Sequence, residues 1–409
     1  MPTVTTYPGV FGPYTPITFT RASTATYFDS AGVLQSAAID APRFDYNPST
    51  LAAQGFLIEE ARTNLVLQSE DFATTWSALN VTPSTNTALS PAGTLTADTL
   101  TPAASTAAHL ISQSATVTAS IAYSASVFVK TDGAPFVQVV YDNGASAGAF
   151  INVNLSTGAI TRGPELAGGA TNVTGSVTAV NNGFYRVTVG ATHTGTTGRI
   201  IISPLPTGQS AAGLNPSTTT AATDKVIVWG AQLEAGAFPT SYIPTTTTAL
   251  TRSADVASVN TLSPWYNQTE GTVYAELQSL SPLTAAQSVA LNKYPHVWQI
   301  DAGATDSNPF WYGVGVELII GGTYNNVGVV PSGINKFAVS LAPTAGQSRS
   351  SLNGAAAVNR NGTLTGTATL FSLGKDSANN VNNFLNGWLR RLTYYPRALS
   401  AAELPALTA

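Results

Sequence analysis

Apolar and polar residues alternate in short runs along most of the chain: "ASVFVK", "FVQVVY", "FINVNL", "YRVTVG", "GRIIIS", "KVIVWGAQL", "TVYAEL", "HVWQI", "GVELII" and "KFAVSL". Each run is rich in β-branched and aromatic residues and is bounded by Gly, Pro, Asn or Ser. That combination predicts half-buried strands joined by turns. Helical periodicity is almost missing. Many short strands without intervening helices predict an all-β protein built from sandwiches. The one helix signal is "LSAAEL", where Ser400 and Glu403 stand at capping-box spacing. Pro405 follows and lacks the amide a continuing helix would use, so about one turn is expected.

Three segments are expected. Residues 1–62 form a small β-rich attachment module with hairpin pieces, in which Asp-Ser-Ala-Gly and Asn-Pro supply the turns. Residues 63–250 hold enough strands for one jelly-roll sandwich, and "TTTALTRSADVAS" reads as the linker after it. Residues 251–409 hold a second set, so two jelly-roll β-sandwiches follow the small module in tandem.

Composition narrows the function. Over 409 residues only 9% are charged, against about 25% in an average soluble protein. A net charge of −4 and no cluster of Lys or Arg give no field for tracking phosphates or an anionic bilayer. Nucleic acid and membrane insertion are therefore not expected as partners. Cysteine is absent, so there is neither a disulfide nor a thiolate metal site. The start, "MPTVTTYPGVFGPYTPI", has no cationic or apolar region of a secretory signal.

Catalytic patterns fail on spacing. In "GFLIEEARTNL" two glutamates stand beside an arginine, but neighbours on a strand point to opposite faces, so Glu59 and Glu60 cannot converge on one substrate as glycoside hydrolysis requires. Glu60 and Arg62 share a face, which predicts a local ion pair or an interdomain contact. Glu70-Asp71 meets the same objection. His109, His193 and His296 stand far apart and in no helical metal-binding frame, and each reads better as a solvated or core histidine. In "DAGATDSN", Asp301 and Asp306 could hold Ca²⁺, yet the stretch does not fit an EF-hand loop and a turn is the stronger reading. No cofactor is expected.

Aromatic residues carry the one sharper expectation. Sugars present C–H faces that stack on exposed rings, while Asn and Asp supply directional hydrogen bonds. Trp265, Tyr266, Trp298, Asp301, Trp311, Tyr312 and Asn325 are the candidate glycan-binding residues, with Asn267, Asp306 and Asn308 nearby. Large aromatics also dominate sandwich cores, and that reading is stronger for any single ring. Trp229 alternates with Ile227, Ala231 and Leu233 and is assigned to the core, as is Trp388.

The stretch "ITFTRASTATYFDSAGVLQSAAIDAPRFDYNPSTLAAQGFLIEEARTNLVLQSEDFATTW" resembles the opening of bacteriophage and gene-transfer-agent head spike or tail fibre proteins. "VWGAQLEAGAFPTSYIPTTTTALTRSADV" resembles the segment closing their middle domain. Together the two phrases frame residues 17–256. "SLNG" and "FLNGWLRRLTYYPRALSAAEL" resemble the end of concanavalin A-like (laminin G-like) jelly rolls.

This resemblance implies a virion surface protein, made in the bacterial cytoplasm. An attachment portion would be followed by a carbohydrate-binding-module-like jelly roll and then a lectin-like one. It implies scaffold roles for Arg21, Glu59, Glu60 and Arg62 and transfers no catalytic residue. The function it implies is attachment to host-surface polysaccharide without catalysis. Other virion proteins would be partners, and homo-oligomers, trimeric by analogy with fibres, would add avidity to weak sites. The alternatives are a capsule depolymerase or glycoside hydrolase, and a purely structural decoration protein.

Overall fold

The computed structural model describes residues 17–145, 147–279, 294–302, 307–312, 315–329, 333–344, 346–363, 366–376 and 383–409. The protein is all-β, with two jelly-roll sandwiches. In the first, one six-stranded sheet runs Ile160–Ala167, Gly148–Asn154, Phe136–Asp142, Thr197–Leu205, Leu110–Thr116, Ser77–Leu79. The facing sheet runs Thr171–Ala179, Tyr185–Thr192, Ala122–Asp132, Lys225–Ala235, Leu95–Pro102, Val81–Leu89. The alternation explains the layering. Tyr123, Ala125, Val127 and Val129 enter the core between the sheets, and the intervening Phe128 belongs to a second cluster on the outside.

The second sandwich has a seven-stranded sheet in the order Val358–Arg360, Ser348–Leu352, Asn335–Leu341, Gly271–Ser279, Gly387–Tyr395, Ala53–Ile58, Phe44–Tyr46. Opposite it lie Thr18–Thr20, Val256–Val259, Leu370–Leu373 and Trp298–Asp301, and a three-stranded sheet made of Asn308–Tyr312, Gly315–Ile320 and Thr323–Val329. Phe56 and Ile58 are wholly buried in the same core as Trp298 and Leu389. The structure thus adds a connection that the tandem order did not contain: strands from residues 18–58 complete the sheets of the 251–409 segment. The first sandwich is inserted between them. The chain leaves through Arg62–Asn64 and returns through Leu250–Arg252, which pair antiparallel with Arg62 opposite Arg252. The hairpin Ala25–Phe28/Leu34–Ala37 lies on the outer face of the first sandwich, where Leu34 packs with Phe128, Trp229 and Tyr242.

Where the two strands cross, charge is buried. Asp255 accepts hydrogen bonds from Arg21 Nη1 at 3.0 Å, from the Glu59 amide at 2.9 Å and from Arg43 Nη2. Glu59 Oε2 lies 2.9 Å from Arg43 Nη1 and accepts the Ser241 hydroxyl at 2.7 Å, while its Oε1 accepts the Ser241 amide at 2.8 Å. Arg252 Nη2 donates to the Glu60 carbonyl at 2.6 Å, and Arg62 Nε donates to the Glu60 carboxylate at 2.7 Å. Glu59 and Asp255 are fully buried. Gly236 has φ +135°, and a Cβ there would lie 1.6 Å from Arg62 Nη1, so the segment closing the first sandwich fits over this knot only as glycine. The Glu60–Arg62 pair is the local contact expected from period two, and Glu59 holds the interdomain one.

The carboxyl-terminal helix spans Glu403–Thr408, with Glu403 Oε2 accepting the Ser400 amide at 2.8 Å. Pro405 sits in its first turn, where an amide has no intrahelical partner to lose, so the helix runs past it. Among the described residues no helix is long and apolar enough to cross a membrane.

Removing one member of a buried, hydrogen-bonded ion pair strands the other charge, at a cost of about 3–5 kcal/mol. Asp255→Ala is expected to lower the unfolding free energy by that amount in urea titration. Arg397→Ala breaks only the exposed pair with Glu403 and is expected to leave the urea midpoint essentially where it is.

Candidate functional site

A cleft of about 610 Å³ opens beside the charge knot and is walled by all three parts of the chain. Its floor is the outer face of the first sandwich near the edge of the second sheet described. There Thr178 stands opposite Arg186, which stands opposite Phe128, and in the next row Ser176, Thr188 and Ser126 align. These side chains face outward because their neighbours Val187 and Val189 are in the core. The segment after Lys225–Ala235 forms one wall through Phe238, Thr240 and Tyr242. Tyr27, Asn47 and Gln54 form the other, and Trp388 of the second sandwich closes the end.

Two carboxyl groups line the cleft, Asp45 and Glu59. Asp45 Oδ1 accepts the Phe28 amide at 2.7 Å and Oδ2 accepts the Trp388 indole N–H at 2.8 Å, which ties the hairpin to the second sandwich. Burial pushes its pKa up to about 6, against the opposing pull of those two donors and of Arg43. Glu59 goes the other way. Burial alone would raise it, but Arg252, Arg43 and the Ser241 donors outweigh that and hold it down at about 2. Glycosidases use pairs of carboxyls whose environments push them apart in this sense. Here, however, both oxygens of each group are taken by protein donors. Neither is presented to a glycosidic oxygen or to an attacking water.

Among the aromatic candidates of the second sandwich, Trp265, Tyr266 and Trp298 pack into or against its core. Trp298 is fully buried, with its ring stacked 5.8 Å from Phe371. Tyr266 is 8% exposed and stacks on Tyr394 at 5.2 Å. Trp265 is half-buried, meets the Tyr394 ring edge-on at 5.3 Å and donates from Nε1 to the Thr261 carbonyl. The Trp265-Tyr266 pair sits at a turn, so strand alternation does not divide its rings between two faces. Asn325 is 8% exposed and spends its amide on Thr323, Asn361 and Leu318, as a brace between loops. Asp301 is half-buried at the end of its strand. Trp311 and Tyr312 lie on the strand Asn308–Tyr312, where their backbones pair with Val316 and Gly315. Asp306 lies outside the described residues.

Trp229 is in an outer apolar cluster rather than between the sheets, 5.4 Å from the Phe128 ring and 4.8 Å from that of Tyr242. Trp388 is buried against Asp45 with an edge on the cleft. His109 bonds Ser105 and Thr220, His193 stacks on Tyr141, and His296 bonds the Tyr294 carbonyl. Among the described residues no three His, Cys, Asp or Glu side chains group as they would around a metal ion.

No protein-family model matches the chain, and no curated protein matches it. Solved structures similar to it include Ruminococcus gnavus IT-sialidase CBM40 bound to alpha2,3 sialyllactose. That match has 16% identity and a TM-score of 0.28, and covers 35% of this chain and 84% of that one. Mouse laminin alpha1 chain domains LG4-5 are 11% identical with a TM-score of 0.23, covering 73% of this chain and 90% of that one. Trypanosoma rangeli sialidase in complex with 2,3-difluoro-KDN is 8% identical with a TM-score of 0.31, covering 76% and 60%. Likeness at this level ties the chain to none of these proteins' activities.

Asp45 makes the joint pH-dependent. Between pH 3.8 and about 6 the folded carboxyl keeps a proton that the unfolded one has released, so this group lowers stability as pH rises through that window, by about 3 kcal/mol in all. Glu59 acts oppositely, contributing stability above pH 4.5 that is lost as pH falls toward 2. Asp45→Asn removes the first effect alone. Relative to the wild type, the variant is expected to gain about 3 kcal/mol of unfolding free energy between pH 4 and pH 7, measured by urea titration at both.

Proposed function

We propose that the protein is a noncatalytic glycan-binding protein of a virion surface, and that the cleft at the joint is where it holds host polysaccharide. The observation that carries this reading is the pairing of outward Ser and Thr rows with the half-exposed ring of Tyr27, beside edges of Phe238 and Trp388, in one concave site. Rows of hydroxyls offer donors and acceptors to sugar hydroxyls, and rings offer faces to sugar C–H groups. The volume falls within the range of sites for small ligands. Occupied carboxylate oxygens favour binding over cleavage.

The virion setting is supported by the resemblance of residues 17–76 and 228–256 to spike and fibre segments. Those same stretches supply Tyr27, Asp45, Gln54, Glu59 and the 237–242 wall. Display of several copies on a particle would multiply weak single-site affinity.

Tyr27→Ala and Thr178→Trp, which remove a ring and fill the cleft, are each expected to weaken binding to capsular polysaccharide at least tenfold without shifting the melting temperature. Trp265→Ala is expected to leave binding unchanged. Isothermal titration with whole polysaccharide reads both effects, and an assay of reducing ends on the same mixtures is expected to stay at baseline. Oligosaccharide release would favour the depolymerase alternative instead. Binding indifferent to both cleft variants would place the site elsewhere.

A further inference from the structure

Arg186 is unlike the other arginines at the joint. Arg21, Arg43, Arg62 and Arg252 each lie within 4 Å of a carboxylate. Among the described residues Arg186 has no carboxylate at that distance. It is held from behind, with Nε and Nη2 on the Ser126 hydroxyl at 3.3 and 3.0 Å and Nη2 on the Thr240 carbonyl at 2.8 Å. Its guanidinium lies over the Phe128 ring at 5.5 Å. Among the described residues Nη1 has no hydrogen-bond partner.

The nearest counter-charges are already engaged. Glu234 accepts from Gln232 and twice from Thr240, and Glu59 is held by Arg43 and Ser241. Asp45 is occupied by Phe28 and Trp388. A half-buried guanidinium therefore lines the floor of the cleft with Nη1 left open to a ligand, flanked by its cross-strand partner Thr178 and by Thr188. An anion placed against it would gain a charge-assisted hydrogen bond, and the planar fork suits a carboxylate or a sulfate.

We propose that the cleft selects an anionic sugar residue, with the acidic group on Arg186 Nη1 and the pyranose against the Tyr27 ring. This rests on the glycan-binding reading of the same cleft. Arg186 is then a specificity-determining residue, pre-positioned by Ser126, Thr240 and Phe128 so that little side-chain freedom is lost on binding.

The test titrates the full chain with glucuronate- and galacturonate-terminated oligosaccharides, their carboxyl-reduced counterparts, and O-sulfated forms of the reduced compounds. The carboxylated or the sulfated set is expected to bind at least tenfold more tightly than the reduced set, and which of the two does so identifies the anion. Affinity for the favoured set is expected to fall as salt rises. Arg186→Gln is expected to abolish the preference, so that charged and reduced sugars bind alike, and Arg186→Lys to restore part of it. Should Arg186→Gln fail to fold, the comparison of charged with reduced sugars on the unaltered protein decides by itself. Equal binding of charged and reduced sugars overturns the proposal while the glycan-binding function stands. Absence of binding to every sugar in the set overturns both.

Discussion

The architecture depends on two carboxylates, Asp255 and Glu59, held in the dry joint by Arg21, Arg43 and Arg252. A chain with only 9% charged residues places several of them where solvation is lost. Buried ion pairs are weak sources of net stability, because desolvation consumes most of the attraction. What they supply is geometry: a carboxylate in such a place needs its donors on specific oxygens, and each donor comes from a different part of the chain. Arg21 follows the first strand, Arg43 precedes the edge strand of the large sheet, and Arg252 ends the return from the first sandwich. Shape-tolerant apolar contacts alone would let these segments slide. The knot fixes where the crossing strands stand, and with them the walls of the cleft.

The strand content was legible because alternation is local. Val187 and Val189 go inward and Arg186 and Thr188 go outward for reasons contained in four residues. Glu60 and Arg62 could likewise be paired from period two. Glu59 could not, since its partners at Ser241 and Arg252 are brought in by pairing between distant strands, and nothing in "GFLIEEARTNL" encodes them. The insertion of one sandwich into the other was invisible for the same reason. A strand such as Ala53–Ile58 announces that it wants neighbours but not which ones.

The aromatic candidates show the complementary limit. Tyr266 and Trp298 lie among Asn and Asp residues in sequence, as a sugar site would have them, but their rings lie in the core beside Tyr394 and Phe371. The cleft draws on residues from 27 to 388, and the only local sign of it was an outward polar stripe on a strand, which is also what an ordinary solvated surface looks like. Only the fold reveals that the stripe is roofed.

One consequence of the insertion concerns biosynthesis. The amide of Glu60 is bonded to the side chain of Asn386, 326 positions further on, and Ala53–Ile58 pairs with Gly387–Tyr395. A nascent chain therefore displays the apolar strand with Phe56 and Ile58 long before its neighbour leaves the ribosome, while the inserted sandwich already has every strand it needs. The topology thus lets the middle complete its sheets before the ends can close around it. The early strand is an adhesive edge for that whole interval, and its run into the acidic Glu59-Glu60 pair gives it a charged terminus that discourages mispairing with sister chains.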